Sequence, residues 1–480
     1  MRSLFVVAFL FLAAPAQAFD VVGVVGKDKD KPVQLRVKLP SGKWTHWGRT
    51  HAGEPTWARN ATEAQMRGHT AGLRLEYIRV PKVKPAARKA ATLPLPTTNA
   101  KAPKIIPRSA WDPQGRCKPR TTPGLGNVQM AFVHHTVSLN GYSRAQAAGM
   151  VLGICLFHRN GNGWNDMGYN FLVDRYGQVF EGRAGGIDQP VVGAQAGGFN
   201  VPSTGVSVIG DFSYSLPPKA AMSSLAKVLA WKLSLTGVPA TGRTKVISAG
   251  GPSTGYRAGT RVTLNRISGH RDADQTACPG AALYRRLPAL RRRVAKLEGA
   301  VSRLSLSAPP SLTYGSALPV SGTLTPATGG ETIELRALAG GREQTVASAL
   351  TAPDGSWSAD VPVDRSSVVR AVYRGGSTPG VISNVAGVAV VPLISLSAAD
   401  PADGKVTVSG TVSPGRSLVT IDVYRDGKVV KTRRLHVTDG AFTGDVALPG
   451  TAAYSLIASV PADASTSAAR SNAVKLPASR

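Results

Sequence analysis

The chain has 480 residues, a formal net charge of +29 at pH 7 and a pI near 10.5, and 6% of its residues are aromatic. This length exceeds one ordinary hydrophobic core and predicts about three or four domains. The positive charge favours polyanionic partners, but no nucleic-acid-binding motif is visible, which argues against nucleic acid as the partner.

The first 18 residues have the pattern of a secretory signal peptide. A charged start, Met1-Arg-Ser, precedes an apolar stretch over residues 4–14 and the small-x-small sequence Ala16-Gln-Ala18. No later stretch approaches the ~20 apolar residues of a membrane span, so no integral membrane segment is expected after cleavage. Export predicts a secreted, extracellular or cell-wall-associated protein, for which anionic wall polymers are simpler partners than nucleic acid.

A small β-rich module is predicted over residues 19–80, because residues 34–39 and 73–78 are strand-like. Residues 81–103 are rich in Pro, Ala and Lys, a composition typical of an extended linker. The first domain boundary is therefore expected in this segment.

Residues 104–298 alternate strand and helix patterns and predict an α/β domain. Ser143 with Gln146 forms a capping box before an apolar stripe that ends near His158. The other expected elements are a buried strand over 128–133, a hairpin over 171–181, a buried strand over 205–210 and an amphipathic helix over 219–235. The predicted architecture is a mixed central β-sheet flanked by helices.

Three residues in this domain have the chemistry of an open zinc site. His134 follows the apolar strand, and His270 and Cys278 flank a polar loop. Zinc accepts imidazole and thiolate together, and three protein ligands leave a fourth position for water, which favours a hydrolase. The alternatives are that the histidines are merely packed, or that Cys278 forms a disulfide with Cys117 or Cys155, since three cysteines leave one unpaired.

Five motifs, in this order, resemble the peptidoglycan recognition protein family and its zinc-dependent N-acetylmuramoyl-L-alanine amidase (type 2 amidase) branch. The similarity covers about residues 104–295 and rests on these motifs: Phe132-Val-His-His-Thr136, Gly163-Trp-Asn-Asp-Met-Gly-Tyr-Asn-Phe-Leu-Val173, Phe180-Glu-Gly-Arg183, Gly269-His-Arg-Asp272 and Thr276-Ala-Cys-Pro-Gly280. Members of that branch use zinc to cleave the amide between N-acetylmuramic acid and the L-alanine of the peptidoglycan stem peptide.

The resemblance implies a role for each matching residue. His134, His270 and Cys278 are expected to hold Zn²⁺. Tyr169 matches the tyrosine that points at the zinc-bound water, and Thr276 matches a residue near the oxyanion. Because members that only bind peptidoglycan usually lack the cysteine, Cys278 favours catalysis.

Substrate contacts are also implied by the resemblance. Gly163, Trp164 and Arg183 match a pattern that accompanies stem peptides with meso-diaminopimelate, whose additional carboxylate an arginine can bind with two hydrogen bonds. Gln195 stands where relatives often have histidine, so this position cannot act as an acid, and its contacts with substrate are expected to differ.

Beyond residue 298, two β-sandwich repeats of immunoglobulin-like type are predicted, over 299–390 and 391–480. Val320-Ser-Gly-Thr-Leu324 recurs 88 residues later as Val408-Ser-Gly-Thr-Val412, and Asp354-Gly-Ser-Trp357 has a counterpart in Asp439-Gly-Ala-Phe442. No catalytic cluster is visible there, so spacer or wall-binding modules are expected.

Three hypotheses follow from these patterns. The first is a secreted zinc amidase acting on peptidoglycan, the second a non-catalytic peptidoglycan-binding protein, and the third a wall-associated adhesin. Zinc analysis and the release of stem peptides from purified wall distinguish them.

Overall fold

The computed structural model describes residues 18–26, 33–50, 53–80 and 95–478. The predicted signal peptide up to residue 17 and residues 81–94 of the predicted linker lie outside the described residues. The chain divides into two compact units, one containing residues up to Leu304 with Tyr373–Asn384, the other Ser305–Val372 with Val385–Arg480.

The N-terminal segment consists of strands, as the sequence predicts. Its strands are β1 Phe19–Gly26, β2 Val33–Lys38, β3 Gly48–Thr50, β4 Pro55–Ala61, β5 Glu63–Gly68 and β6 Leu73–Ile78. They form two antiparallel three-stranded sheets with the orders β4-β1-β6 and β3-β2-β5. Alternate residues of β2 are buried, which is the pattern of a strand with one face on a core.

A mixed six-stranded sheet forms the centre of the predicted α/β domain. The strands of this segment are β7 Ile105–Ile106, β8 Met130–His135, β9 Phe171–Val173, β10 Val179–Glu181, β11 Ser203–Val208, β12 Arg243–Ile247, β13 Arg261–Asn265 and β14 Ile267–Gly269. The sheet order is β14-β8-β11-β9-β10-β7, and β12 with β13 forms a separate antiparallel pair. β8 is parallel to both neighbours, and all six of its residues are buried, as expected for a central parallel strand.

Helices accompany this sheet: α1 Arg108–Trp111, α2 Ala147–Leu156, α3 Lys219–Leu235, α4 Ala281–Tyr284 and α5 Leu287–Glu298. The predicted helix over 219–235 is confirmed, and so is the capping box, in which the Ser143 backbone N–H donates to Gln146 Oε1 at 2.5 Å. A π-helical turn, Phe157–Gly161, continues α2. No helix in the described part of the chain is long and apolar enough to cross a bilayer.

Adjacent residues of β9 show that helices cover both faces of the sheet. The Phe171 ring packs edge-on against Trp231 of α3, with ring centroids 6.1 Å apart. Leu172, which points to the opposite face, belongs to the core cluster that contains α2. The expected mixed sheet flanked by helices is therefore confirmed.

The N-terminal sheets share a core with α2. Val21 and Trp57 belong to the same buried cluster as the helix. Gly153 of α2 lies so close to both that a Cβ at this position would come within 2.6 Å of Val21 Cγ2 and 3.3 Å of Trp57 Cζ3. This packing holds the loop before β4 beside the end of α2.

β-Strands follow α5: β15 Arg303–Leu304, β16 Ser311–Thr313, β17 Ala317–Thr325, β18 Thr332–Ala339, β19 Arg342–Leu350, β20 Ser356–Pro362, β21 Ser367–Tyr373, β22 Val381–Val391, β23 Leu393–Ile394, β24 Ser397–Ala398, β25 Lys405–Ser413, β26 Leu418–Arg425, β27 Lys428–His436, β28 Ala441–Ala447, β29 Tyr454–Val460, β30 Ala469–Arg470 and β31 Val474–Leu476.

A structural repeat is visible in the second unit. β17 and β25 have the same alternation of buried and exposed residues, and they pair antiparallel with β20 and β28 respectively. Trp357 of β20 and Phe442 of β28 are both buried. The strand pattern therefore recurs as the sequence predicts, while the immunoglobulin-like topology stays a prediction.

Candidate metal centre

Two neighbouring parallel strands bring the two predicted histidine ligands together, and Cys278 approaches them from the loop before α4. His134 lies near the end of β8, and His270 directly follows β14, which pairs with β8. One donor atom from each of His134, His270 and Cys278 lies within 4.8 Å of the others. Cys278 Sγ is 3.6 Å from His134 Nδ1, and the two imidazole centroids are 4.6 Å apart.

Each imidazole is held by a hydrogen bond on its Nε2 atom. His134 Nε2 is 2.5 Å from Gln195 Oε1, and His270 Nε2 is 2.9 Å from Asp274 Oδ2. His270 Nδ1 is buried and has no hydrogen-bond partner within the described residues. Metal-ligating histidines commonly have one nitrogen fixed by an oxygen, which leaves the other for the metal. The two Nδ1 atoms and the Cys278 sulfur are thus the candidate donors.

The donor set fits Zn²⁺. Two imidazole nitrogens and one thiolate match its preferred ligands and leave one coordination position open. Burial, reinforced by His270, lowers the pKa of His134 well below its ordinary value, so this imidazole is neutral, which is the ligating form. Burial, reinforced by Glu54, raises the pKa of Cys278, and a divalent cation would offset this cost of forming the thiolate.

Tyr169 lies beside the three candidate ligands. It precedes β9, is buried, and its ring centroid is 5.2 Å from that of His134. Burial and the neighbouring Cys278 raise the pKa of its phenol above the ordinary value. Thr276 is half-buried, and its hydroxyl accepts a hydrogen bond from the Cys278 backbone N–H at 3.1 Å. Both residues therefore adjoin the candidate metal centre.

A cavity of about 300 Å³, which we call the metal cleft, opens above these residues. Trp164 and Gln195, two of the predicted substrate contacts, line it together with Tyr169, His270 and Thr276. Gln195 donates to Ser203 Oγ at 2.8 Å through Nε2, so both ends of its amide are engaged.

The other two predicted substrate contacts do not line the metal cleft. Arg183 Nη1 donates to the Met167 carbonyl at 2.8 Å, and Gly163 has a positive φ of 71°. Their roles in substrate binding stay predictions.

Sequence reasoning missed three residues that line the metal cleft: Glu54, His158 and Asp274. Asp274 could have been found, because it follows His270 by four residues in a polar loop. His158 is buried beneath Trp164 and Tyr169, and its Nδ1 accepts from the Gly168 N–H at 3.1 Å. Burial, followed by Arg183, lowers the pKa of His158 to about 3, so its imidazole is neutral. No local pattern marks Glu54.

Cys278 does not form a disulfide with Cys117 or Cys155. Cys117 and Cys155 form a disulfide, whereas Cys278 is a free, buried cysteine. The sulfur beside the two histidines is therefore available as a ligand.

Comparison with known proteins identifies the domain around this site. Residues 124–281 match the family model described as N-acetylmuramoyl-L-alanine amidase. This segment matches the peptidoglycan recognition protein and type 2 amidase family. Among its relatives, peptidoglycan-recognition protein SC1a of Drosophila melanogaster is 27% identical over 38% of this chain and 82% of its own length. The N-acetylmuramoyl-L-alanine amidase of Homo sapiens is 30% identical over 38% of this chain and 27% of its own length.

Solved structures of the family cover a similar share of the chain. The structure of peptidoglycan recognition protein-LE in complex with tracheal cytotoxin is 30% identical, covering 38% of this chain and 92% of that chain, with a TM-score of 0.29. The N-terminal sheets and the second unit lie outside the segment that matches the family model. The match of this segment supports a peptidoglycan-related function.

Proposed function

We propose that this chain is a secreted, zinc-dependent amidase that hydrolyses the amide between N-acetylmuramic acid and the L-alanine of the stem peptide. The observation that carries this proposal is the convergence of His134, His270 and Cys278, with a buried Nδ1 of His270 that lacks a hydrogen-bond partner among the described residues. When bound, zinc supplies Lewis-acid polarisation of the scissile carbonyl and lowers the pKa of water to near neutrality.

The residues around the metal centre have distinct roles in this proposal. Gln195 and Asp274 hold the two imidazoles by their Nε2 atoms, so the Nδ1 atoms face the centre. The Tyr169 phenol donates a hydrogen bond to the carbonyl oxygen of the scissile amide as negative charge develops there. Thr276, whose hydroxyl is held by the Cys278 N–H, borders the position of the same oxygen.

Substrate preference is part of the same proposal. Trp164 lines the metal cleft and stacks on His158, with ring centroids 4.7 Å apart. Arg183 would bind the additional carboxylate of meso-diaminopimelate after releasing the Met167 carbonyl. We therefore propose stem peptides of the meso-diaminopimelate type.

The proposal also gives roles to the segments outside the metal centre. Residues 1–18 act as the signal peptide, and the net charge of +29 holds the exported protein near anionic wall polymers. Residues 19–80, 104–298, 299–390 and 391–480 form four domains, and the last two are immunoglobulin-like repeats.

Mass spectrometry of the products from purified sacculi tests the proposal directly. We expect free stem peptides with an L-alanine N-terminus, and about one zinc per chain by elemental analysis. Cys278→Ala should lose both zinc and peptide release, while circular dichroism checks that the variant is folded. Zinc retention by the wild type without any peptide release would overturn the amidase and favour a protein that binds peptidoglycan without turnover.

A further inference from the structure

A second cavity, which we call the lateral groove, adjoins the metal cleft. Its volume is about 720 Å³. Glu54 and Thr276 line both cavities, whereas His270 lines the metal cleft and Cys278 lines the lateral groove. The candidate metal centre therefore lies between two cavities, and a substrate cut at that centre can extend into both.

The N-terminal sheets form one wall of the lateral groove. This wall consists of part of β2 and the segment from Thr45 to Thr50, and it faces the loops 137–140 and 211–215. The wall is held in place by the core that β1 and β4 share with α2 and by Asn162, whose Nδ2 donates to the Gly53 carbonyl at 2.9 Å. Because this wall precedes the segment matched by the family model, it is an addition to the amidase domain.

The wall presents flat rings with fixed polar groups. Two guanidinium groups contact the Trp47 indole, with Arg36 Cζ at 4.5 Å and Arg67 Cζ at 4.3 Å from the ring centroid. Glutamines hold both cations: Arg36 Nη2 donates to Gln65 Oε1 at 2.6 Å, and Arg67 Nε to Gln34 Oε1 at 2.7 Å. The wall is therefore preorganised, which reduces the entropy lost on binding.

An exposed aromatic side chain stands on the opposite wall. Tyr214 lines the lateral groove with 91% of its surface exposed. Aromatic rings with a polar edge suit ligands that have both apolar faces and hydroxyl groups. Sugar rings have this combination, and a glycan strand would place successive rings along such a groove.

Glu54 lies at the junction of the metal cleft and the lateral groove. Its carboxylate has no hydrogen bond or ion pair with another described residue, and it can only accept hydrogen bonds. It therefore suits the hydroxyl and acetamido N–H groups of a sugar beside the metal centre. Trp164, the predicted contact of the stem peptide, lines the metal cleft and not the lateral groove.

We propose that the lateral groove binds the glycan half of the substrate, so that the N-terminal sheets are part of the substrate-binding site. This inference rests on the proposed amidase function, because the scissile bond must lie at the metal centre. Trp47 and Tyr214 contact sugar rings, Glu54 accepts hydrogen bonds from the sugar nearest the cut, and the stem peptide lies in the metal cleft.

Dependence on glycan length tests this division of the substrate. We would measure kcat/KM for a muramoyl peptide and for a tetrasaccharide carrying the same peptide, with the wild type, Trp47→Ala, Tyr214→Ala and Glu54→Gln. The wild type should favour the longer glycan, and each aromatic variant should reduce that preference about tenfold. Leu216→Ala is the matched control, since Leu216 lies on the same loop as Tyr214, is 44% exposed and does not line the groove.

A binding measurement separates this inference from the proposed function. Calorimetry with peptide-free glycan strands should detect binding to the wild type and to Leu216→Ala, and weaker binding to Tyr214→Ala and Glu54→Gln. Equal binding by all variants, or no preference for the longer glycan, would overturn the glycan assignment. If glycan strands bind as expected but no substrate is cleaved, the amidase proposal fails and the glycan site stands.

Discussion

One buried site in each compact unit illustrates two ways of burying polar groups. In the second unit, buried arginines are ion-paired: Arg370 Nε lies 2.5 Å from Glu343 Oε1, and Arg336 Nη2 lies 2.7 Å from Glu334 Oε2. In the first unit, His134 and Cys278 are buried side by side, and burial favours the uncharged form of each. Buried polar groups without compensation cost free energy. The ion pairs of the second unit offset this cost within the protein, whereas a cation bound at the proposed metal centre would offset it for His134 and Cys278.

Removal of one imidazole tests the proposed metal centre most directly. His134→Gln should abolish zinc binding and peptide release, because it deletes one of three candidate donors. His135→Gln is the matched control: its Nδ1 accepts from the Phe212 N–H at 3.2 Å and does not belong to the donor group. Elemental analysis and product release measure both effects. Equal zinc loss in the two variants would contradict the assignment.

A substitution in the second unit should lower the stability of the fold without changing zinc binding. Trp357→Ala removes a buried indole, and we expect a loss of about 3–5 kcal/mol in the free energy of unfolding. Zinc content and amidase activity should not change. Denaturant unfolding measures the loss, and Trp357→Phe, which introduces the residue found at the corresponding Phe442, should cost less. Loss of zinc in Trp357→Ala would show that the two units are not independent in function.

Tyr169→Phe separates catalysis from metal binding within the first unit. Removal of one hydrogen-bond donor to the developing oxyanion should lower kcat by about 10²–10³-fold and leave zinc content unchanged. Tyr142→Phe is the control, because the hydroxyl of this buried tyrosine donates to the Ile209 carbonyl at 3.0 Å, away from the centre. A wild-type kcat in Tyr169→Phe would remove Tyr169 from the mechanism.

The smallest expected effect comes from the carboxylate that holds His270. Asp274→Asn should weaken zinc binding by about 10–100-fold, as is usual for groups that orient a metal-ligating histidine. Asp272→Asn is the matched control in the same loop, since Asp272 accepts from the Tyr284 hydroxyl at 2.6 Å and contacts no candidate ligand. Competition with a chelator gives the two affinities. Equal weakening would assign the effect to the loop as a whole.

Local patterns predicted much of the first unit. The apolar run before His134, the capping box at Ser143 and the helix over 219–235 are all signalled within a few residues, and each is present. The 88-residue repeat likewise predicted strands with matching burial. These features could be predicted because hydrophobic periodicity and capping depend on neighbours in the sequence.

Residues brought in from distant segments could not be predicted in the same way. Glu54 precedes Thr276 by 222 positions in the numbering, yet both line the metal cleft and the lateral groove. The role of Gln195 as the partner of His134 Nε2 was also missed, because a contact across 61 residues has no local signature. Side-chain contacts of this kind depend on packing, which sequence spacing does not encode.

The sequence by itself determined the chemical types: two imidazoles and a thiol in recognisable motifs, a repeated strand pattern and a strongly basic composition. Only the tertiary structure decided which nitrogen of each imidazole faces the centre, and that the N-terminal sheets lie beside it. The physical reason is that residue type fixes what a group can bind, whereas its partners are fixed by a core assembled from segments far apart in the chain.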